Sequence, residues 1–334
     1  MMRIWFNRGF SLASISQAMM SAEPGLEIYA SVAKGKPQHS GPVETWVEPE
    51  TDPVGYLQWV QDKVADKAID VLIPTHYRNT LRDAALPCRV EFPGSQDVLK
   101  LLEDKFRFAE DLRAVEFHLN TELVTSSAQL EAAIATFPER FGDGAIPCVK
   151  PRNGVNGFGF WKLIPDRPMA HLENPDAREI KADLYLAALR QQEQTKPFRD
   201  MVLMEYLPGP EVSFDILADH GRMLRYAART KLATGKQRIQ TDHPLSAYAG
   251  QLVERYALNG VVNVQFRKHT DGSWKVLEIN ARPAGGVVYA EAVGAGILAG
   301  WAGLLTRRLS ADEVEGTMID TEISFETAVQ RLAS

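Results

Sequence analysis

Four side chains spaced along residues 265–282 have the types that handle a hard cation and phosphate: Gln265, Glu278, Asn280 and Arg282. They lie in two strand-like runs, Asn263-Val264-Gln265-Phe266-Arg267 and Lys275-Val276-Leu277-Glu278-Ile279-Asn280-Ala281-Arg282-Pro283, joined across Thr270-Asp271-Gly272-Ser273. Asp-Gly between alternating apolar runs is a strong hairpin signal. With Asp271 and Gly272 as a two-residue loop, Gln265 falls opposite Glu278. Strand side chains alternate faces, so Gln265, Glu278, Asn280 and Arg282 share one face while Val264, Phe266, Leu277 and Ile279 share the other. A carboxylate and two amide oxygens suit Mg²⁺, which takes few protein oxygens and leaves its other positions to water and nucleotide. The guanidinium can hold phosphate through a two-pronged fork. An ordinary solvated hairpin face would show the same alternation, and a three-residue bulged turn would put Gln265 on the opposite face.

A second phosphate-handling pattern precedes it. The run Ile146-Pro147-Cys148-Val149-Lys150 leads into a loop containing Gly154, Gly157 and Gly159. Glycines let backbone N–H groups approach phosphate oxygens closely, and the lysine adds a point charge. Phe160-Trp161-Lys162-Leu163-Ile164 then reads as a strand, and Gly-Lys-Ser/Thr is absent, which argues against a P-loop or dinucleotide fingerprint opening a helix. The loop is predicted to be a hairpin lid over phosphates, with Asn156 tolerating a left-handed backbone. A glycine-rich turn that holds no ligand is the plainer alternative.

These groups need a scaffold. A strand at Arg3–Phe6, a helix at Leu12–Met20, a strand at Glu27–Val32, a helix over 57–69 and a strand at Asp70–Pro74 alternate as in a parallel sheet. Ligands gather at the carboxyl ends of such strands, which singles out Asn7, Arg8, Ser11, His76 and Arg78. Ser95 can cap a helix running through Val98, Leu99, Leu102 and Phe106, and that helix carries Asp104-Lys105. Helices follow at 128–136 and 180–192. The strand Met201–Leu207 is broken by Pro208-Gly209-Pro210, and Glu211 opens the next one. In Arg225-Tyr226-Ala227-Ala228-Arg229-Thr230-Lys231 the odd positions stack three cations on one face, which calls for a phosphate or substrate carboxylate nearby, with a solvated edge strand as the alternative. A helix is expected at 289–306 and a strand around Ile319–Phe325.

Taken in order, Asp104-Lys105, Lys150 with its glycine loop, Glu205-Tyr206-Leu207 with Glu211, Gln265, and Glu278-x-Asn280-x-Arg282 resemble the ATP-grasp superfamily, especially the carbamoyl-phosphate synthetase large-subunit type and the ATP-grasp proteins of tellurium-resistance-associated clusters. The resemblance covers roughly residues 95–310. It implies an α/β ATP-grasp fold with an N-terminal Rossmann-like pre-ATP-grasp domain at 1–94, an ATP-grasp domain at 95–310 whose lid spans about 121–204, and a C-terminal extension at 311–334. By the same resemblance Gln265, Glu278 and Asn280 bind Mg²⁺ or Mn²⁺, and Arg282 contacts the transferring phosphate. Lys105 and Lys150 reach the nucleotide phosphates under a lid that includes Gly154, Gly157 and Gly159. Backbone and side-chain groups of Glu205, Tyr206 and Leu207 meet adenine, and Glu211 meets ribose. Arg229 and Lys231, with Arg8 or Arg78, would hold a substrate acid. The loop carries fewer glycines than many members have, which stiffens it.

The implied chemistry is a ligase that uses ATP to convert a small-molecule carboxylate into an acyl phosphate for attack by an amine, releasing ADP and phosphate. A phosphotransferase with a stable phosphorylated product, and a nucleotide-binding regulator without turnover, are the alternatives. His-Arg-Asp and Asp-Phe-Gly are absent, which disfavours a protein kinase.

Composition agrees with a globular enzyme: 334 residues, 45% hydrophobic and 24% charged. A net charge of -6 without basic runs interleaved with aromatics makes a nucleic-acid partner unexpected. No stretch reads as a signal peptide or a membrane span, so a cytoplasmic protein is expected, free or as a homodimer. Cys88 and Cys148 lack metal-ligand spacing and are expected to be reduced thiols.

Overall fold

The chain begins on the central strand of a parallel sheet. β1 (Met2–Asn7), β2 (Leu26–Val32), β3 (Glu44–Val47), β4 (Val71–Pro74) and β5 (Arg89–Val90) are ordered β3-β2-β1-β4-β5, every neighbouring pair parallel. This computed structural model describes residues 1–9, 11–154, 157–233 and 235–325. Asn156, expected to adopt a left-handed backbone, lies outside the described residues. Strand order reverses between β1 and β4, so the loops that leave their carboxyl ends flank a switch point where open α/β sheets take ligands. The helices Leu12–Ala22 and Pro53–Asp66 cover the sheet, burying Leu12, Ile15 and Met19 from one and Tyr56, Val60 and Val64 from the other. The second starts sharply because Pro53 occupies its first turn and the Asp52 side chain accepts from Gly55 N–H at 2.8 Å.

The second sheet contains β6 (Thr121–Val124), β7 (Pro147–Pro151), β8 (Trp161–Ile164), β9 (Glu179–Lys181) and β10 (Met201–Glu205) in the order β6-β10-β7-β8-β9, antiparallel except for β8 with β9. Its two faces do different jobs. Val149, Leu203, Met201 and Leu163 pack with Leu130, Phe137 and Leu186 of the covering helices, whereas Cys148, Val202 and Met204 form a smaller cluster with Leu119 and Leu207. Lys150 is two residues from Cys148 and opposite Val202, so the period of two delivers it to that second face.

The remaining strands are β11 (Glu211–Asp219), β12 (Arg222–Ala233), β13 (Lys236–Gln240), β14 (Gly260–Lys268), β15 (Trp274–Asn280) and β16 (Asp320–Ser324). β11, β12, β13 and β16 are antiparallel neighbours in that order, and β14 lies on the other side of β11.

Two compact units result. The first comprises Met1–Leu99, Pro210–Gln265 and Ile279–Ser334; the second comprises Lys100–Gly209 and Phe266–Glu278. Within the first, β1, β2, β4 and the helix Leu12–Ala22 share one core with the helices Val287–Ala292 and Ile297–Leu305. Among the described residues, no helix is long and apolar enough to cross a membrane.

Three local expectations are corrected. The helix expected over 95–106 is two helices, Gln96–Glu103 and Lys105–Asp111, because Asp104 turns out of helical geometry (φ -100°, ψ 99°) and caps the second by accepting from Arg107 N–H. The helix expected over 289–306 is likewise divided, at Gly294 (φ 86°) and Gly296 (φ 64°), whose left-handed backbones a helix cannot contain. The hairpin turn has three residues, not two: Gly272 N–H donates to His269 O at 3.1 Å, His269 N–H donates to Ser273 O at 2.8 Å, and Gly272 sits at φ 88°. The bulged alternative therefore holds at the turn, and the register expected there from a two-residue loop is shifted by one. Along β15 the buried residues are Val276 and Ile279, three apart, so the strict alternation expected through Leu277 and Ile279 is also broken; residues beyond this break, Asn280 among them, are turned back by one, which offsets the shift at the turn that would have set Gln265 on the opposite face.

Candidate functional site

In the second unit, Lys105 and Lys150 face one small cavity, whose walls are Phe108, Leu112, Leu119, Met204, Val276 and Leu277. Lys105 opens the helix Lys105–Asp111, and its place is fixed from behind. Arg152, two residues beyond Lys150, grips the capping Asp104 with Nε at 3.0 and 2.9 Å and Nη2 at 2.7 Å, and reaches Asp200 at 3.1 Å. Lys105 N–H also donates to Arg152 O at 3.1 Å. This clasp ties the two lysine-bearing segments together, although they are far apart in sequence. Burial pushes the Lys105 ammonium below the usual lysine range, with the charge of Glu278 opposing and that of Lys150 adding to the fall.

The Lys105 ammonium donates to Gly154 O at 2.7 Å, which joins this lysine to the glycine loop. Gly157 (φ 64°) has open space around it. Gly159 (φ 73°) does not: a Cβ there would lie 2.7 Å from Pro151 Cγ, so side chains are excluded by both backbone and space.

At the end of β10, Tyr206 N–H donates to Ile146 O at 2.8 Å, while the Leu207 N–H has no hydrogen-bond partner among the described residues. The Leu207 side chain is buried, so its backbone is held in place with a donor to spare. Tyr206 lies under two cations, Lys162 at 4.7 Å and Arg267 at 5.1 Å from the ring centre, and its hydroxyl accepts from Arg267 at 3.2 Å. Glu205 bonds His269 at 2.9 Å, and His269 also meets Asp271 at 2.9 Å. Burial lowers the His269 pKa, but the two carboxylates outweigh it and the net shift is upward.

In the first unit, Gln265 donates Nε2–H to Asn263 Oδ1 at 3.2 Å, which turns its amide oxygen away. Asn263, fully buried, donates to Asp215 Oδ1 at 2.9 Å and Phe214 O at 3.1 Å. Asp215 in turn holds Arg229 at 2.5 Å and 3.3 Å, and Arg229 Nη1 reaches Gln237 at 3.2 Å. The anion that the row of cations on β12 calls for is thus the protein's own. Arg229 is buried and committed to Asp215, which takes it out of the set expected to hold a substrate acid. Lys231 is exposed and pairs with Glu211 at 2.6 Å. Arg282 Nη2 donates to Asn280 Oδ1 at 3.4 Å, and Arg282 N–H to Asn280 O at 2.8 Å.

Among the described residues no cluster of three or more His, Cys, Asp and Glu could hold a metal. Of the residues expected to take a cation, Gln265 and Asn280 of the first unit carry amide oxygens and Glu278 of the second a carboxylate, donor types that suit a hard cation.

Residues 197–324 match the family model described as ATP-grasp in the biosynthetic pathway with Ter operon. Among curated proteins, none matches the chain by sequence. Solved structures similar to it include the N5-carboxyaminoimidazole synthetase of Staphylococcus aureus, 15% identical with a TM-score of 0.62 over 91% of this chain and 77% of that one. The L-amino acid ligase of Bacillus licheniformis is 12% identical, with a TM-score of 0.63 over 95% and 78%. A biotin carboxylase of Campylobacter jejuni is 13% identical, with a TM-score of 0.62 over 94% and 73%. The fold is the ATP-grasp fold. The superfamily that Lys105, Lys150 and the Glu278-x-Asn280-x-Arg282 run resemble is therefore the one returned by both comparisons. Sequence reasoning missed the Asp104–Arg152 clasp and the Asn263–Asp215–Arg229 network; both pair residues distant in the chain, and only the Asp before Lys105 was a local signal.

Proposed function

We propose that the protein is an ATP-dependent carboxylate–amine ligase. The convergence of Lys105 and Lys150 on one cavity, with the charge of Glu278 acting on Lys105, is the observation that carries this reading. Two ammonium groups brought to one cavity suit the phosphates of a nucleotide. The Leu207 N–H is the proposed donor to the adenine edge, beside Glu205 and Tyr206, and Glu211 the acceptor from ribose. Gln265, Glu278 and Asn280 remain the proposed ligands of Mg²⁺ or Mn²⁺, which would neutralise charge on the β- and γ-phosphates. Arg282 contacts the phosphoryl group in flight.

In the reaction, a carboxylate oxygen of the acid bonds to the γ-phosphorus as the bond to the β–γ bridging oxygen breaks, leaving ADP. The amine then attacks the acyl carbon, phosphate departs with the former carboxylate oxygen, and the amine loses a proton. Phosphoryl transfer of this kind depends on positioning and charge neutralisation, and the glycine loop shields an acyl phosphate from water. The neighbours named above as a synthetase, a ligase and a carboxylase support ligase chemistry as the starting hypothesis.

The test is an acid carrying labelled carboxylate oxygen. One label is expected in inorganic phosphate, with ADP as the nucleotide product. AMP and pyrophosphate, or label that never reaches phosphate, would overturn the ligase; a stable phosphorylated acid would favour a phosphotransferase.

A further inference from the structure

A cavity of the first unit, about 220 Å³, opens at the switch point between β1 and β4. One wall is cationic: Arg8 and Arg78 come from the loops leaving β1 and β4, and Arg282 follows β15. These loops are built with care. Arg8 and Tyr77 hold left-handed backbones without being glycine, at φ 64° and 49°, a strained state that persists where surrounding structure enforces it. Arg8 Nε is fixed by Glu48 at 2.6 Å, and Glu48 is itself buried and held by Ser31 at 2.9 Å and Tyr56 at 3.2 Å. Asn7 Oδ1 accepts from Thr75 N–H at 2.6 Å and His76 N–H at 3.1 Å, locking the two loops together.

The other wall is apolar, made by Phe92, Trp301, Leu304 and Leu309. Among the polar groups that share it, Arg89 meets Glu91 at 2.8 Å and donates to Leu305 O at 2.7 Å, and His220 meets Asp219 at 2.9 Å. A small polar acid set against the arginines would leave the apolar wall against water.

Resting on the ligase reading, we infer that the acid taken by this cavity carries an apolar body of several carbons, aliphatic or aromatic, beyond its carboxylate. The carboxylate sits at the wall of Arg8, Arg78 and Arg282, and the body lies along Trp301, Leu304 and Leu309. Each buried methylene then strengthens binding by about fourfold until the wall is covered.

The experiment measures binding by calorimetry, without nucleotide, for acetate, butyrate, hexanoate and phenylacetate, and for hexanol as a control without the charge. Affinity should climb with the tail, hexanol should bind far more weakly than hexanoate, and Leu309→Gln should flatten the climb while leaving acetate unchanged. Affinity that is flat or falls with tail length, or succinate binding better than hexanoate, would overturn the inference. ADP release with each acid and an amine mixture separates the two readings. If a polar acid alone stimulates it, the ligase stands and the apolar substrate falls. If tailed acids bind with the expected climb yet none stimulates ADP release, the cavity assignment stands and the ligase falls.

Discussion

Arg229 in the first unit and Lys105 in the second are both cations drawn away from water, and they are treated in opposite ways. Arg229 is enclosed by Asp215 and Gln237, with Asn263 bonding Asp215 from the far side. Its planar fork suits a fixed, fully paired lattice, and its charge is permanent. Lys105 donates to a backbone carbonyl, shares its cavity with Lys150, and has its pKa lowered by burial. The comparison separates a charge that builds the sheet from a charge set beside a cavity, a distinction that residue type alone does not make.

The sharpest break of this comparison is Asp215→Ala. Removing one partner of a buried pair strands the other, so stability should fall by about 3–5 kcal/mol, read from urea denaturation. Lys231→Ala, two residues from Arg229 but exposed, should cost less than about 1 kcal/mol. Similar losses for both would erase the contrast.

Next in size is Glu278→Gln. The amide keeps the shape but removes the proposed metal ligand's charge, where electrostatic stabilisation of the transition state is largest. Turnover should drop by about 10²-fold with nucleotide affinity changed less than about tenfold. Near-normal turnover at saturating Mg²⁺ would remove Glu278 from the metal set. A smaller effect is expected for Lys150→Ala, which should weaken ATP about tenfold, the worth of one charge-assisted hydrogen bond, and leave adenosine nearly unchanged. Equal losses for both ligands would make Lys150 a structural residue.

Much of this contrast was hidden in the sequence for identifiable reasons. The parallel sheet of the first unit was legible because apolar strands and amphipathic helices alternate over residues 2–74. Lys150 and the glycine loop were legible because strand, lysine and glycines are contiguous. The cations of β12 were expected on one face, but their partners were not, because Asp215 is 14 residues from Arg229 and meets it diagonally, lying opposite Ala227 in the β11–β12 pair. β13 escaped notice because its inward positions include Gln237, a polar residue that is buried through its bond to Arg229. Asp104 looked like one more helical residue: its cap bond to Arg107 is local, but its clasp with Arg152 joins residues 48 positions apart. Local periodicity reports elements; it is silent on polar partners brought together by the fold.

The smallest expected effect concerns His269, a titrating group that links the hairpin turn to the end of β10 through Glu205. Burial disfavours its charged form, and the bonds to Glu205 and Asp271 more than compensate, so its pKa in the folded protein lies above the unfolded value of about 6.5. The folded state therefore binds the proton more tightly than the unfolded one. The stabilisation from this bond is fully present below about pH 6.5 and is lost as pH rises through the folded-state pKa. Asp271 has the opposite sign: the Ser273 bonds and His269 hold its pKa well down, so its contribution is present above about pH 4 and is lost only in strong acid. Between pH 6 and 8.5 the two effects do not overlap. The urea midpoint of the wild type should exceed that of His269→Gln at pH 6, and the gap should narrow steadily toward pH 8.5. A gap that stays constant would show that His269 contributes by packing alone, and that the second unit, like the first, fixes this carboxylate without using a titratable charge.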